Sequence, residues 1–322
     1  MSPMIDIRGL RKEFGPFVAV ENVSFSLERG EVLGFLGPNG AGKSTTMKMV
    51  TGFLPPTKGT AVIGGHDILQ EPMKAKEKLG YLPEGAPAYP DMTPASFLKF
   101  IAEIRGFRGK EAIKKVEEVV RKTSLESHYY VPIESLSKGY KRRVGLAQAI
   151  IHDPDVLVMD EPTDGLDPNQ KHEVRNLIGE MGKNKSIILS THILEEVEAV
   201  CTRAIIIAAG KVIADGTPEE LCSRSPFHNA VSLRVKQSAS VDLKQTMERL
   251  SGVRRVEDLT EQGKGTTYRL FPEKGRSILS EVNQCAREKN WDVTEVRVER
   301  GRLDEVFRDL TAETTIKAGR ET

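Results

Sequence analysis

Gly37-Pro38-Asn39-Gly40-Ala41-Gly42-Lys43-Ser44 is the stretch on which the reading of this chain turns. It follows an apolar run, Glu31 to Leu36, that reads as a buried strand, and it opens a segment that reads as a helix. Its spacing is that of the phosphate loop G-x-x-x-x-G-K-[ST], and strand before, helix after, is the context that loop requires. Glycines let a backbone wrap closely round phosphate oxygens, so that several N–H groups and a helix N-terminus face one anion. Gly37, Asn39, Gly40, Ala41 and Gly42 form that cradle. Lys43 is placed to reach β- and γ-phosphates, Ser44 to offer a hydroxyl to Mg²⁺, and Thr45 to contact the α-phosphate. A glycine turn that merely precedes a helix is the bland alternative, and the context argues against it.

Working outward, alternating apolar residues at Met4 to Leu10 and Phe17 to Leu27 predict early antiparallel strands. From Pro94 to about Ser124 the pattern is helical, with Phe97, Leu98, Ile101 and Ile104 on one face. A further helix starts at Ser137, and a buried strand spans Val156 to Met159. A helix over Lys171 to Met181 and a strand over Ser186 to Ser190 follow. Strands alternating with helices predict an α/β fold with a mainly parallel sheet covered on both faces. Asp160 and Glu161 then sit at the carboxyl end of a buried strand, where ligand sites of such sheets lie. Asp160 is placed to hold Mg²⁺ through water. Glu161 is placed to act as a general base, or an orienter, for an attacking water.

After Leu221 the character changes. Residues 222–229 carry Ser, Arg, Pro and His and read as a linker. The remainder predicts strand Val231 to Lys236, helix Asp242 to Leu250, strands Val253 to Leu259 and Thr266 to Phe271, helix Arg276 to Lys289 and strand Asp292 to Glu299. That order is a split βαβ of the ferredoxin-like kind, closed by an amphipathic helix Leu303 to Leu310. The expected organisation is a nucleotide-binding domain over 1–221 with a helical subdomain at about 90–150, the linker, an accessory domain over 230–311, and a frayed polar tail over 312–322.

The chain has 322 residues, 39% hydrophobic and 29% charged, with a formal net charge of +1. That composition can bury a core, and its neutral balance argues against a general nucleic-acid binder. The basic stretch Lys138 to Arg143 is short. No apolar run approaches the roughly 18 to 20 residues of a membrane-crossing helix, and the start lacks a secretory signal, so a cytoplasmic location is expected. Cys201, Cys222 and Cys285 have no metal-like spacing and read as free thiols.

Leu136-Ser137-Lys138-Gly139-Tyr140 lies between the phosphate loop and the Asp160-Glu161 strand. It resembles the signature Leu-Ser-Gly-Gly-Gln of the ATP-binding subunits of ABC transporters, and the resemblance covers about residues 4 to 220. It implies a P-loop NTPase of the ABC type with an antiparallel β subdomain and a helical subdomain, hydrolysing ATP with Mg²⁺. It implies that Ser137 and Gly139 touch the γ-phosphate held by an opposite subunit. Lys138 and Tyr140 depart from the family form; the lysine either adds charge near the phosphate or points to solvent. Gly165-Leu166-Asp167 resembles the D-loop, which places Asp167 at the nucleotide interface, and His192 resembles the switch histidine. Phe14 stands where the family sets an aromatic ring against adenine, although an early-strand Phe is more often core. Glu84, in Leu82-Pro83-Glu84, replaces the Q-loop glutamine; its oxygens remain able to bind Mg²⁺, but an ionised Glu donates no N–H. The Leu-Pro-Glu run and Gly301-Arg302-Leu303-Asp304-Glu305-Val306-Phe307 resemble the gliding-motility-like branch.

Three function classes share such a head: transporter motors, repair or chromosome ATPases, and ribosome-acting proteins. A short helical insert without sustained heptads disfavours the second, and one phosphate loop with one signature disfavours the third. One half-site of each kind per chain implies an ATP-dependent dimer, most simply with a second copy of itself. The expected partner is a separate integral membrane permease that holds the motor on the inner face of the membrane, and the branch resemblance implies export. The accessory domain is expected to regulate or dock the motor, or to pack against it for stability.

Overall fold

The computed structural model describes residues 3–236, 241–260, 266–273 and 275–318, with the backbone alone at 241 and 313–318. The described residues form two compact units, one of those up to Pro218 together with those of 310–318, and one of those within Glu219–Asp309.

The first unit opens with β1 (Ile5–Phe14), β2 (Phe17–Leu27), β3 (Val32–Leu36), α1 (Lys43–Val50), β4 (Lys58–Ile63), β5 (His66–Asp67), α2 (Pro72–Glu77) and β6 (Leu79–Leu82). It continues through α3 (Pro94–Ile104), α4 (Gly109–Lys122), α5 (Lys138–Ile150), β7 (Val156–Asp160), α6 (Pro168–Gly182), β8 (Ser186–Thr191), α7 (Leu194–Val200), β9 (Arg203–Ala208) and β10 (Lys211–Gly216). Strands β2-β1-β4-β5 make an antiparallel sheet. The larger sheet runs β10-β9-β3-β8-β7-β6, parallel except at β10. Every residue of β3, β7 and β8 is buried, which is why these strands read as continuous apolar runs: both faces are covered. Successive side chains of β7 serve two cores. Val156 and Val158 pack with Ile5, Phe35 and Met47, while Leu157 and Met159 pack with Phe97, Val116 and Leu146 of the helical layer.

The helical insert departs from its sequence reading in two ways. It is two helices, broken after α3 at Gly106, whose φ of 94° stops the first. The buried face of α3 carries Phe97, Leu98 and Ala102, whereas Ile104 is 64% exposed, because the first helix ends there and turns away from the layer it packs on. Strands β4, β5, β6, β9 and β10 and helices α2 and α7 were not resolved by periodicity; most are six residues or shorter, too brief to show a period.

Helix α8 (Pro218–Cys222) leads into the second unit, which contains β11 (Val231–Val235), α9 (Val241–Glu248), β12 (Val253–Asp258), β13 (Thr266–Pro272), α10 (Leu279–Glu288) and β14 (Val293–Val298). Its sheet is antiparallel throughout, in the order β12-β13-β11-β14. Leu233, Tyr268 and Leu270 on one face pack with Met247 and Val282 of the two helices. Helix α11 (Leu303–Ala318) runs well past the expected end at Leu310, so the segment after Thr311 continues as helix, and residues 319–322 lie outside the described ones. Cys201 is half-buried and Cys285 buried, and neither forms a disulfide among the described residues.

Candidate functional site

The carboxyl ends of β3, β7 and β8, adjacent in the parallel sheet, bring together the phosphate loop, the acidic pair and the histidine. The loop owes its shape to local backbone chemistry. Gly42, the cap of α1, has φ 101°, and a Cβ on it would lie 2.6 Å from the carbonyl of Ala19 in β2. Both the conformation and the close approach require glycine. Asn39 and Gly40 are exposed, Ser44 and Thr45 half-buried, and Ala41 is buried in the core that seats the loop. The first N–H groups of α1 point into the loop without partners in their own helix.

Lys43 is 7% exposed, and its ammonium folds back to donate to the carbonyls of Gly37 at 2.8 Å and Pro38 at 3.3 Å. Burial pushes its pKa down, and the carboxylates of Glu161, Asp160 and Glu84 oppose that shift. All three acids therefore stand within electrostatic reach of the lysine. Glu84 lies on the exposed loop after β6, and its charge acts also on Tyr81 and Arg142.

Asp160 is 1% exposed, and among the described residues neither of its carboxylate oxygens has a hydrogen-bond partner. The hydroxyls of Ser190, its register partner on β8, and of Tyr81 are likewise buried without one. Burial, followed by the charge of Asp160, raises the Tyr81 phenol to about 12. A carboxylate buried and unpaired costs several kcal/mol, so this donor set fits a cation carrying water, and hard oxygen ligands suit Mg²⁺. With Ser44 across the loop, the residues present fit the metal assigned from sequence.

Glu161 adopts φ 51°, a left-handed conformation that costs a residue with a side chain roughly 1 kcal/mol. Three contacts hold it there. Its N–H donates to the carbonyl of Ser190 at 2.8 Å, and Arg142 donates to the carbonyls of Asp160 and Glu161 while reaching that of Pro83 at 2.9 Å. The turn aims the Glu161 carboxylate at His192, whose Nδ1 is 2.9 Å from each oxygen. A carboxylate accepts, so Nδ1 carries the proton of this pair, and in a neutral ring Nε2 is then the bare acceptor. For Nε2 to donate to a phosphate, the imidazole must be doubly protonated or must change tautomer as the pair opens.

The signature segment is placed by capping. Ser137 is exposed and its hydroxyl accepts from the N–H of Tyr140 at 3.4 Å, starting α5. Gly139 lies against α6, where a Cβ would meet Gln170 Oε1 at 2.5 Å. The lysine left open by the sequence takes a third course. Its Nζ is 2.7 Å from Asp164, in the turn before Gly165, and this contact holds the Asp164 carboxyl below its usual range. Tyr140 stacks on His128 at 3.7 Å between centroids, with the Arg143 guanidinium 5.6 Å from its ring. Asp167 caps α6 through Gln170 N–H at 2.9 Å, so its carboxylate is engaged within its own chain. Phe14 ends β1 and is 49% exposed, with Lys12 Nζ 5.3 Å over its ring; it is not core.

Sequence reasoning missed Arg142, Thr163, Thr191 and Glu196. The basic stretch Lys138 to Arg143 was visible, yet Arg142 and Arg143 are buried and bound to carbonyls, and Arg143 also pairs with Glu173, so it forms no basic surface. Thr191 and Glu196 lie close to His192 in the chain, but which side chains there point inward is not marked by the residue types.

The family model for the ABC transporter domain matches residues 20–164. The linearmycin resistance ATP-binding protein LnrL of Bacillus subtilis is 38% identical over 233 residues, 72% of this chain and 75% of that protein. The Nod factor export ATP-binding protein I of Ralstonia nicotianae is 38% identical over 221 residues, 68% of this chain and 69% of that one. A solved ATP-binding subunit of an ABC transporter superposes with a TM-score of 0.63 at 30% identity, covering 68% of this chain and 91% of its own. The chain belongs to the ABC transporter family as an ATP-binding subunit, an ATPase that takes ATP with Mg²⁺.

Proposed function

We propose that this chain is the motor of an ABC exporter, closing as an ATP-dependent homodimer and driving a separate membrane permease. The observation that carries this reading is the Glu161–His192 pair, set at the sheet's carboxyl edge beside a buried, unpartnered Asp160 and the phosphate loop. Lys43 would exchange the Gly37 carbonyl for phosphate oxygens, and Ser44 and Asp160 would hold Mg²⁺, which when bound would spread the phosphate charge. The Glu161 carboxylate takes a proton from the attacking water, and His192 registers the γ-phosphate. Phe14 offers its exposed ring to a base. Ser137, exposed at the start of α5, has no part in its own chain's phosphate loop, which supports completion of the site by a second copy.

The names of the relatives, one a resistance protein and one an export protein, support export. Among the described residues no helix is long and apolar enough to cross a membrane. A groove of about 620 Å³ between α1, α2 and α3 is lined by Phe53, Met73, Ile104 and Tyr81 and ends at Pro83, next to Glu84. Phe53, Met73 and Ile104 are 75%, 69% and 64% exposed. An apolar groove of this kind suits a short helix of the permease, placed where its movement reaches the Glu84 loop. The strand order β12-β13-β11-β14 with two helices on one face supports the ferredoxin-like reading of the second unit.

The test is reconstitution with the membrane protein encoded beside this chain: Mg²⁺-dependent ATP hydrolysis is expected, altered by the permease, and Met73→Glu with Ile104→Glu should abolish copurification while sparing basal hydrolysis. A permease that binds the double variant normally would overturn the groove assignment. A chain truncated after Leu221 is expected to keep ATP binding; a folded truncation that lost it would make the second unit part of the site.

A further inference from the structure

The contacts of Glu196 reach beyond the helix that carries it. The residue lies in the first turn of α7 and is 1% exposed, among the most deeply buried charged side chains described. Its Oε1 accepts the hydroxyl proton of Thr163, and its Oε2 accepts that of Thr191 at 2.9 Å. Both threonines are themselves buried, at 1% and 0% exposure. Arg175 of α6 is the cation near Oε1, at 4.0 Å. Burial is the leading influence on this carboxyl and raises its pKa, with the Thr191 hydroxyl and Arg175 opposing.

Those two threonines belong to the segments that carry the reactive pair. Thr163 is two residues beyond Glu161, on the turn leading to Asp164 and Gly165; Thr191 ends β8 and immediately precedes His192. The Thr191 hydroxyl also approaches Glu161 Oε2 at 3.5 Å and accepts the N–H of Ile193 at 3.0 Å, fixing the turn on which the histidine sits. A single carboxylate thus ties together two loops that no covalent bond joins. One loop presents the base, and the other presents the imidazole facing it. Both are held to a point behind the site, in addition to the contact that Glu161 and His192 make with each other.

We propose that Glu196 is a positioning residue for ATP hydrolysis, which sets the Glu161–His192 separation by binding Thr163 and Thr191 to one buried carboxylate. The inference rests on the assignment of Glu161 as base. Glu196 touches neither the phosphate loop nor the ring of Phe14, so nucleotide affinity does not depend on it. Its loss takes from the Thr163 and Thr191 hydroxyl protons the buried acceptor they share, at a cost of about 1–3 kcal/mol for a donor left unsatisfied, so the loops shift to find other partners. A displacement of the reacting groups by a fraction of an ångström is felt in turnover and not in binding.

The experiment compares Glu196→Ala and Glu196→Gln in the full chain by kcat, by direct Mg²⁺-ATP affinity and by melting temperature. In Glu196→Ala, kcat is expected to fall roughly tenfold or more while ATP affinity stays within about threefold. Glutamine keeps the shape and one acceptor oxygen, and its NH₂ finds the second lone pair of a threonine hydroxyl, so Glu196→Gln is expected to recover most of kcat. A merely structural residue would lower melting temperature, kcat and ATP affinity together. Normal turnover in a folded Glu196→Ala, or equal loss of turnover and affinity, overturns the proposal. Should the alanine variant fail to fold, the isosteric Thr163→Val removes one arm and is expected to show the same split of kcat from affinity. Glu161→Gln separates the two readings: if it is inactive while Glu196→Ala is not, this inference alone fails, and if it is fully active, both fail.

Discussion

His192 Nδ1 lies 2.9 Å from both carboxylate oxygens of Glu161, across 31 residues of sequence, with the carboxylate side chain 14% exposed and the imidazole 56% exposed. The carboxylate, the less exposed partner, is carried on a turn held by Arg142, and the imidazole is the more exposed one. That asymmetry suits a base that stays in place and a sensor that exchanges the base for a phosphate.

Replacing the base tests the first half of this division. Glu161→Gln keeps size and the left-handed turn but loses the proton acceptor, so ATP affinity should be retained and kcat should fall by roughly a hundredfold or more. The same variant should accumulate an ATP-bound dimer, visible in sedimentation with Mg²⁺. Wild-type turnover in the pure variant would remove Glu161 from the role.

Dimer closure is tested at the exposed cap of α5. Ser137→Arg removes the hydroxyl that accepts from Tyr140 N–H, costing about 1 kcal/mol of local stability, and adds bulk where a second copy is expected to approach. Nucleotide affinity of the monomer should hold, and ATP-driven association should be lost. A dimer of unchanged strength on sedimentation would contradict completion in trans.

The carboxylate on the loop after β6 is open to a metal titration. Glu84→Ala should raise the Mg²⁺ concentration needed for half-maximal hydrolysis by roughly threefold or more if its oxygen serves the metal's water shell. Hydrolysis with an unchanged Mg²⁺ midpoint would restrict Glu84 to coupling with the permease.

Acid stability has a defined source in His152. Its Nε2 faces the Leu79 carbonyl at 3.1 Å, its Nδ1 is buried without a partner among the described residues, and burial pushes its pKa down to about 4. The unfolded histidine titrates near its ordinary 6.5. Between those values the unfolded chain binds a proton that the folded chain refuses, so stability is complete above about pH 6.5 and is lost as pH falls toward 4. Urea midpoints measured from pH 7.5 to 4.5 should drop less steeply in His152→Gln than in the parent. Parallel slopes would place the acid sensitivity elsewhere.

The phosphate loop, the acidic strand end and the capped signature helix were legible because each is local. A glycine that must take φ 101°, the apolar run Val156 to Met159 buried on both faces, and a serine that caps the helix after it all leave their mark within a few residues of chain. The order of those marks was enough to name the family and the ATP and Mg²⁺ chemistry. Lys138, Tyr140 and Asp167 were not legible in the same way. Asp164, His128 and Gln170 engage them, and a long polar side chain takes whichever partner the fold sets beside it.

Neighbours in the chain settle the free energy of the loop, the caps, the buried strands and the alternation that makes the sheet parallel, so these were readable from residue order. What tertiary structure alone decided is the meeting of Glu161 with His192, the unpaired burial of Asp160, the grip of Arg142 on three carbonyls and the tie of Glu196 to Thr163 and Thr191. The physical reason is that a buried polar group must be satisfied by whatever the packing brings within hydrogen-bond distance. That partner is chosen by strand order, and strand order is not written at any one position of the chain.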